Sequence, residues 1–171
     1  MPVYALGDRV PTIDETAFVH PDAVVIGDVR IGAGSSIWPE AVLRGDYGTV
    51  IVGARTSIQD GAVVHAIADY PTVIGDDCVV GHLAHLEGCV VHDRALVGSG
   101  SIVLHEAVVH SGATVGAGAV VRNRMDVPAN ALAVGVPATI KLDVSSEEQI
   151  AQNAASYVQN AERYRQELRR L

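Results

Sequence analysis

A strict six-residue spacing of branched aliphatic residues is the feature that most restricts the fold of this sequence. An α-helix repeats every 3.6 residues, and a strand in an ordinary sheet alternates and stops after about 5–6 residues, so neither keeps a period of six. A period of six is typical of the hexapeptide β-helix, in which three hexapeptides make one triangular coil. The aliphatic residues in register, with two insertions and one deletion between them, are Val19, Val25, Ile31, Ile37, Leu43, Val52, Ile58, Val64, Ile74, Val80, Leu86, Val91, Val97, Val103, Val109, Val115 and Val121.

A small residue two positions before most of these aliphatics supports the same frame. We expect the aliphatic to fill the inside of each flat side and the small residue to fit near the corner. Both cysteines, Cys78 and Cys89, hold the small position, and they do not form a C-x-x-C unit. The frame therefore predicts buried structural thiols.

Composition agrees with a narrow, regular core and argues against several partners. Of the 171 residues 49% are hydrophobic, but only one Trp, five Tyr and one Phe are aromatic. The net charge of −8 argues against a nucleic-acid groove and an anionic membrane surface, which both attract basic faces. No apolar run approaches the roughly 20 residues of a membrane span, and the N-terminus has no signal-peptide pattern. We expect a cytoplasmic protein without nucleic-acid or membrane partners.

The end of the sequence changes its period and predicts a helix. Apolar residues three and four positions apart form one stripe, as on an amphipathic helix: Ile150, Ala154, Tyr157, Ala161, Tyr164, Leu168 and Leu171. Ser145 with Glu148, or Ser146 with Gln149, offers a capping box. We predict a β-helix domain over residues 1–144 and an amphipathic helix over 145–171. The helix packs along one side of the β-helix or across a subunit contact.

The repeat also predicts which outward side chains stack in consecutive coils. One outward column contains Arg44, His65 and Glu87, with His85 nearby. One corner gathers Gln59, Asp60 and His82. A single β-helix cannot join the column to the corner, but copies in a threefold ring can, through one heterologous contact. Two histidines and a carboxylate would then form a metal set with room for water.

Several segments, in this order, resemble the gamma-class carbonic anhydrase family, and the likeness covers nearly the whole chain. They are Ser36-Ile37-Trp38-Pro39, Arg44-Gly45-Asp46, Ile58-Gln59-Asp60-Gly61, His65, Ile74-Gly75-Asp76, Val80-Gly81-His82 and Gly88-Cys89. The resemblance implies an all-β, left-handed parallel β-helix with a C-terminal helix. It also implies a homotrimer that binds zinc with three histidines at each subunit interface, two from one subunit and one from its neighbour.

The resemblance assigns His65 and His82 as metal ligands, whereas Glu87 stands where the family has its third histidine. Glutamate can ligate zinc, but its negative charge makes the metal a poorer Lewis acid. His85 is the alternative third ligand. The implied cofactor is Zn²⁺, with Fe²⁺ or Co²⁺ as alternatives.

The implied activity is the reversible hydration of carbon dioxide to bicarbonate by a metal-bound hydroxide. Gln59 would orient the metal-bound water, or would only bond the adjacent coil. Tyr157 matches a tyrosine of the family's C-terminal helix, and Arg44 and Asp60, with Asp46, resemble the family's intersubunit ion-pair residues. The remaining histidines are expected to be solvated: His20, His92, His105 and His110.

Two other functions stay open at this point. The first is a non-catalytic metal-binding, siderophore-binding or structural homologue, because such a role permits the loss of a histidine ligand. The second is a hexapeptide acyltransferase acting with coenzyme A. This function ranks last because such enzymes commonly have a protruding loop, and no insertion in the repeat exceeds four residues.

Overall fold

The computed structural model describes residues 2–171, in which twenty short strands precede one helix. The elements are β1 (Val3–Tyr4), β2 (Thr12–Ile13), β3 (Phe18–Val19), β4 (Val24–Ile31), β5 (Ser36–Ile37), β6 (Val42–Val52), β7 (Ser57–Ile58), β8 (Val63–His65), β9 (Thr72–Ile74), β10 (Val79–Val80), β11 (His85–Glu87), β12 (Val90–Val91), β13 (Leu96–Val97), β14 (Ile102–Val103), β15 (Val108–Val109), β16 (Thr114–Val115), β17 (Val120–Val121), β18 (Asp126–Val127), β19 (Leu132–Val134), β20 (Thr139–Lys141) and α1 (Glu147–Glu167). The strands pair in parallel from coil to coil, and only β20 folds back antiparallel, beside β19.

Three flat faces result, and each carries one inward ladder of aliphatic side chains. The first face stacks Val25, Leu43, Val64, Leu86, Val103 and Val121. The second face stacks Ile31, Val52, Ile74, Val91, Val109 and Val127. The third face stacks Val19, Ile37, Ile58, Val80, Val97 and Val115. The chain is therefore a left-handed parallel β-helix of about seven turns, which confirms the predicted fold class.

The core is as narrow as the sequence indicates. Every predicted inward aliphatic residue except Val19 is buried, and so are the small residues two positions before them. Cys78 and Cys89 lie fully buried among these small residues as free thiols, as predicted. Burial raises the pKa of both thiols to about 12, so they stay protonated and unreactive at neutral pH.

Two buried valines, Val29 and Val50, escaped the sequence analysis because each lies two positions before an inward aliphatic, where the repeat usually has a small residue. Val29 and Val50 face inward with no exposed surface, on the long strands β4 and β6, which continue around a corner. The register shifts between Gly27 and Val29. At this bulge a Cβ on Gly45 would lie 2.3 Å from the carbonyl oxygen of Asp28, so only glycine permits the approach of the two coils.

The helix begins where the sequence predicts and ends earlier. Ser146 is the N-cap residue, and its hydroxyl accepts a hydrogen bond of 3.3 Å from the backbone N–H of Gln149. Helix α1 ends at Glu167, so the prediction that Leu168 and Leu171 extend the apolar stripe is wrong. Both are exposed. Among residues 2–171 no helix has the length and apolarity required to cross a bilayer.

Helix α1 packs along the third face of its own chain, which decides between the two predicted placements. It contacts strands β3, β5, β7 and β10 and buries three residues of the predicted stripe, Ile150, Ala154 and Ala161. Trp38 anchors the contact, because its indole N–H lies 3.0 Å from the hydroxyls of Ser36 and Ser57. Its ring packs against an aromatic cluster: Phe18, Tyr157 and Tyr164.

Two adjacent residues test the inward register. Val121 is fully buried in the first-face ladder, whereas Arg122 is exposed. We expect Val121→Asp to abolish cooperative thermal unfolding, because an unpaired buried carboxylate costs more than such a domain can lose. Arg122→Asp should change the free energy of unfolding by no more than about 0.5 kcal/mol. Equal melting curves for the two variants, measured by circular dichroism, would contradict the register.

Candidate functional site

The predicted outward column lies at the end of the first face. Strand register places Arg44 beside His65 and His65 beside Glu87 in consecutive coils, as the repeat predicted. Arg44 forms an ion pair with Asp46. The His65 Nε2 atom lies 2.9 Å from Asp46 Oδ1, and its Nδ1 atom lies 2.6 Å from Glu87 Oε1. We call these four residues, Arg44, Asp46, His65 and Glu87, the acid–histidine column.

His65 is the central member of this column, and its side chain is 11% exposed. Each of its ring nitrogens faces a carboxylate oxygen. An ionised carboxylate only accepts hydrogen bonds, so each contact holds the ring through a hydrogen on the facing nitrogen. A metal ion at His65 would therefore have to displace one of these two contacts.

The two carboxyl groups of the column are easily ionised. Burial alone would raise the pKa of Asp46. Hydrogen bonds from His65 and Arg44 lower the pKa by more than burial raises it. Burial likewise opposes ionisation of Glu87, but the hydrogen bond from His65 and the nearby charges of three histidines outweigh it. The pKa of each group therefore lies below its ordinary value, and both carboxylates are negative at neutral pH.

Thr72 fixes the backbone beneath the column. Its hydroxyl donates to the carbonyl oxygen of His65 and accepts a hydrogen bond of 2.7 Å from the backbone N–H of Gly88. One fully buried hydroxyl thus ties together the ends of β8 and β11, which carry His65 and Glu87. The spacing of the two side chains is set by the backbone rather than by the side chains alone.

His105 was expected in solvent, and that expectation is wrong. Its Nε2 atom is buried and lies 3.3 Å from Glu87 Oε2, and its ring stacks on Tyr70 with the centroids 6.2 Å apart. His85 Nε2 lies 3.7 Å from the same oxygen. A Cβ on Gly88 would lie 2.8 Å from the His105 ring, so the missing side chain makes room for it. That glycine was the signal available in the sequence.

The other predicted site residues gather at the corner between the third and first faces. His82 Nδ1 lies 3.0 Å from Asp60 Oδ2, as the predicted stacking of these two residues requires, and both side chains are about half exposed. Beside them a cleft of about 400 Å³ opens between the third face and α1. Gln59, His82 and Tyr157 line it together with Ser99, Asn153 and Ser156.

The structure thus divides the predicted site into two groups. Arg44, His65 and Glu87 meet at the C-terminal ends of β8 and β11. His82 precedes the N-terminal end of β11, at the opposite edge of the first face. Within residues 2–171 no three His, Cys, Asp or Glu side chains already converge on one point as a metal cluster. A set made of His65, Glu87 and His82 requires a second copy of the chain.

Comparison with known proteins gives related sequences over most of the chain. The family profile described as Bacterial transferase hexapeptide (six repeats) matches residues 11–45. Gamma carbonic anhydrase 1, mitochondrial, of Arabidopsis thaliana is 42% identical over 158 residues, covering 88% of this chain and 58% of that protein. Carnitine operon protein CaiE of Escherichia coli (strain K12) is 42% identical over 148 residues, covering 86% of this chain and 76% of that protein.

A solved structure is similar over nearly the whole fold. It belongs to a Bacillus cereus protein described as a candidate acetyltransferase, with a TM-score of 0.92 and 34% sequence identity. The match covers 95% of this chain and 95% of that chain. The likeness therefore includes both the β-helix and the region of the C-terminal helix.

The lowered carboxyl pKa values predict how acid affects stability. A group whose pKa is lower in the folded state stabilises the fold above its ordinary pKa and loses that effect as pH falls through the folded pKa. We expect the free energy of unfolding to fall between about pH 5 and pH 3. His65→Asn removes hydrogen bonds to Asp46 and Glu87 and should make this fall shallower. Urea titrations at each pH measure it, with His92→Asn as the control; equal slopes would contradict the assignment.

Proposed function

Because this chain belongs to the hexapeptide-repeat family that includes gamma carbonic anhydrase 1 and CaiE, we propose that it is a metal-dependent carbonic anhydrase whose site forms between subunits. The substrates would be carbon dioxide and bicarbonate, and the protein would act as a homotrimer. One observation carries the proposal. The acid–histidine column and the His82 corner have complementary halves of a ligand set but lie at opposite edges of one face.

Apolar surfaces on the first face support a contact between copies. Outward of the core ladder, one column of the first face contains Val42, Val63, Ile102 and Val120, interrupted only by His85. Val63 is 37% exposed, and Leu83, next to His82 at the corner, is 71% exposed. A corner with an exposed leucine fits a face whose aliphatic column contains the exposed Val63 and partly buried neighbours. The same contact repeated around a ring closes without leaving either surface in water.

The residues present fit a zinc ion. His65, Glu87 and His82 of a neighbouring copy would supply two imidazole nitrogens and one carboxylate oxygen, a set that zinc binds in catalytic sites with a position left open. Fe²⁺ and Co²⁺ accept the same donors. His65 would exchange one carboxylate contact for the ion, and Asp46 or Glu87 would keep the ring oriented through its other nitrogen.

A zinc ion held there would supply a Lewis acid that can lower the pKa of a water molecule toward about 7. Gln59, which is buried apart from its edge on the cleft, would hold the attacking water or the carbon dioxide with its amide. Tyr157 lines the same cleft and would limit the position of the substrate. Asp60 would orient His82 through its Nδ1 atom. Arg44 would keep Asp46 ionised and in place.

An acetyltransferase is the second candidate, because the similar Bacillus cereus structure is described in those terms and the cleft has the size of a small-molecule pocket. The cleft is lined by amides, hydroxyls, one histidine and aliphatic residues, and by no Lys or Arg. It offers no positive charge to the phosphates of coenzyme A, which favours the carbonic anhydrase. Calorimetric titration with acetyl-coenzyme A separates the two, since only an acetyltransferase should bind it.

Complementation between two variants tests whether the site is shared. His65→Ala and His82→Ala should each abolish carbon dioxide hydration, because each removes one ligand from every interface. In trimers assembled at random from equal amounts of both, about a quarter of the interfaces combine the intact His65 of one subunit with the intact His82 of the next. We expect about a quarter of the activity to return in co-expressed protein, measured by stopped-flow indicator assay. No recovery in verified mixed trimers would contradict a shared site.

The charge of Glu87 should limit activity. Glu87→His removes a negative charge beside the metal, so the bound water becomes more acidic and the metal a stronger Lewis acid. We expect carbon dioxide hydration near neutral pH to rise about tenfold, the scale of changes around metal ligands. His92→Ala is the control, because this ring stacks on His110 outside the proposed site, and it should leave the rate nearly unchanged. If His85→Ala abolishes activity and Glu87→Ala does not, His85 is the third ligand.

A further inference from the structure

His105 carries an unexplained polar atom. Its Nε2 is the buried side-chain nitrogen or oxygen that lacks a hydrogen-bond partner among residues 2–171. Buried polar groups are almost always satisfied, and an exception indicates a bound water, an ion or a functional role. The ring fits beside Gly88 and stacks on Tyr70, but neither contact gives its Nε2 atom a hydrogen-bond partner.

The surroundings of this nitrogen have the composition of a metal site. Glu87 Oε2 lies 3.3 Å from His105 Nε2 and 3.7 Å from His85 Nε2. In a tetrahedral zinc site with bonds of about 2.0–2.1 Å, neighbouring ligand atoms are about 3.3–3.4 Å apart. The His105–Glu87 separation matches this spacing and the His85–Glu87 separation is slightly longer. Two imidazoles and one carboxylate are donor types that zinc binds, and here all three belong to one chain.

Glu87 makes this arrangement compatible with the proposed intersubunit site. Its Oε1 atom faces His65 at 2.6 Å, and its Oε2 atom faces His85 and His105. A carboxylate has two ligating oxygens and can bridge two ions, whereas an imidazole that uses one nitrogen for a metal presents only a hydrogen-bond donor with the other. The glutamate therefore permits a neighbouring site that a histidine at this position would not.

We propose that His85, Glu87 and His105 of one subunit bind a second divalent transition-metal ion of the zinc type. The site shares Glu87 with the site of the proposed function but uses no residue of a neighbouring copy. The three donors do not yet surround one point, so His85 must rotate. Its side chain is 38% exposed, and it is the least enclosed of the three.

Zinc binding to metal-free protein tests the proposal, using equilibrium dialysis with Zn²⁺ alone. We expect about two ions per chain in the wild type and about one in His105→Gln, which keeps a side chain of similar reach. His85→Ala should also bind about one. His110→Gln, a histidine paired with Asp126 elsewhere on the surface, is the matched control and should bind as the wild type does. Wild-type binding by both His105→Gln and His85→Ala overturns the proposal.

A further variant separates this proposal from the proposed function. His82→Ala removes the intersubunit ligand and should leave about one ion per chain, bound at the second site. If His82→Ala loses one ion and His105→Gln loses none, the intersubunit site stands and the second site is wrong. If His105→Gln loses one ion and His82→Ala loses none, the second site stands alone. With Co²⁺ in place of Zn²⁺, loss of either site should halve the visible absorption of the ion, provided that circular dichroism shows each variant folded.

Discussion

The parallel stacking of coils, each with one aliphatic side chain per flat side, is the constraint on which the rest of this structure depends. Each inward residue packs on the equivalent residue one coil away at the strand spacing of about 4.8 Å. The ladders leave no room for large rings, so the aromatic residues are displaced to the outside, where Trp38 and its neighbours seat helix α1. The same stacking repeats outward positions, and so aligns polar side chains without any dedicated loop.

The acid–histidine column is a direct product of this alignment. Hydrogen bonds from Arg44 and His65 lower the pKa of Asp46, and the hydrogen bond from His65 lowers that of Glu87, so both carboxyl groups stay ionised although they are partly buried. Such a column is rich in metal-binding groups. Within one chain, the only further carboxylates and histidines that can join it are those at the same edge of the first face. Its relation to His82 depends on assembly, since a β-helix has no means of folding one edge of a face onto the other.

Glu87 is the residue on which the polar contacts of the site converge. Three imidazoles approach its two oxygens, and the nearest, on His65, is held through a backbone that Thr72 locks in place. In the proposed metal sites this carboxylate would make the metal a weaker Lewis acid, but its two oxygens would offer two ligating directions. Such a site would differ from a three-histidine site in the number of groups it could hold, as well as in charge.

Much of the fold followed from the sequence, because a six-residue period is a local property that stacking simply repeats. The period predicted the inward ladders and the alignment of Arg44 with His65 and Glu87. The capping residues predicted the start of the helix near Ser146. The approach of His105 to Glu87 was decided only by the tertiary structure. The His105 ring reaches Glu87 in the neighbouring coil because Gly88 has no side chain to block it. A periodic sequence pattern does not indicate such an empty space. The placement of helix α1 along the third face was likewise settled by the packing of distant residues, which local spacing does not encode.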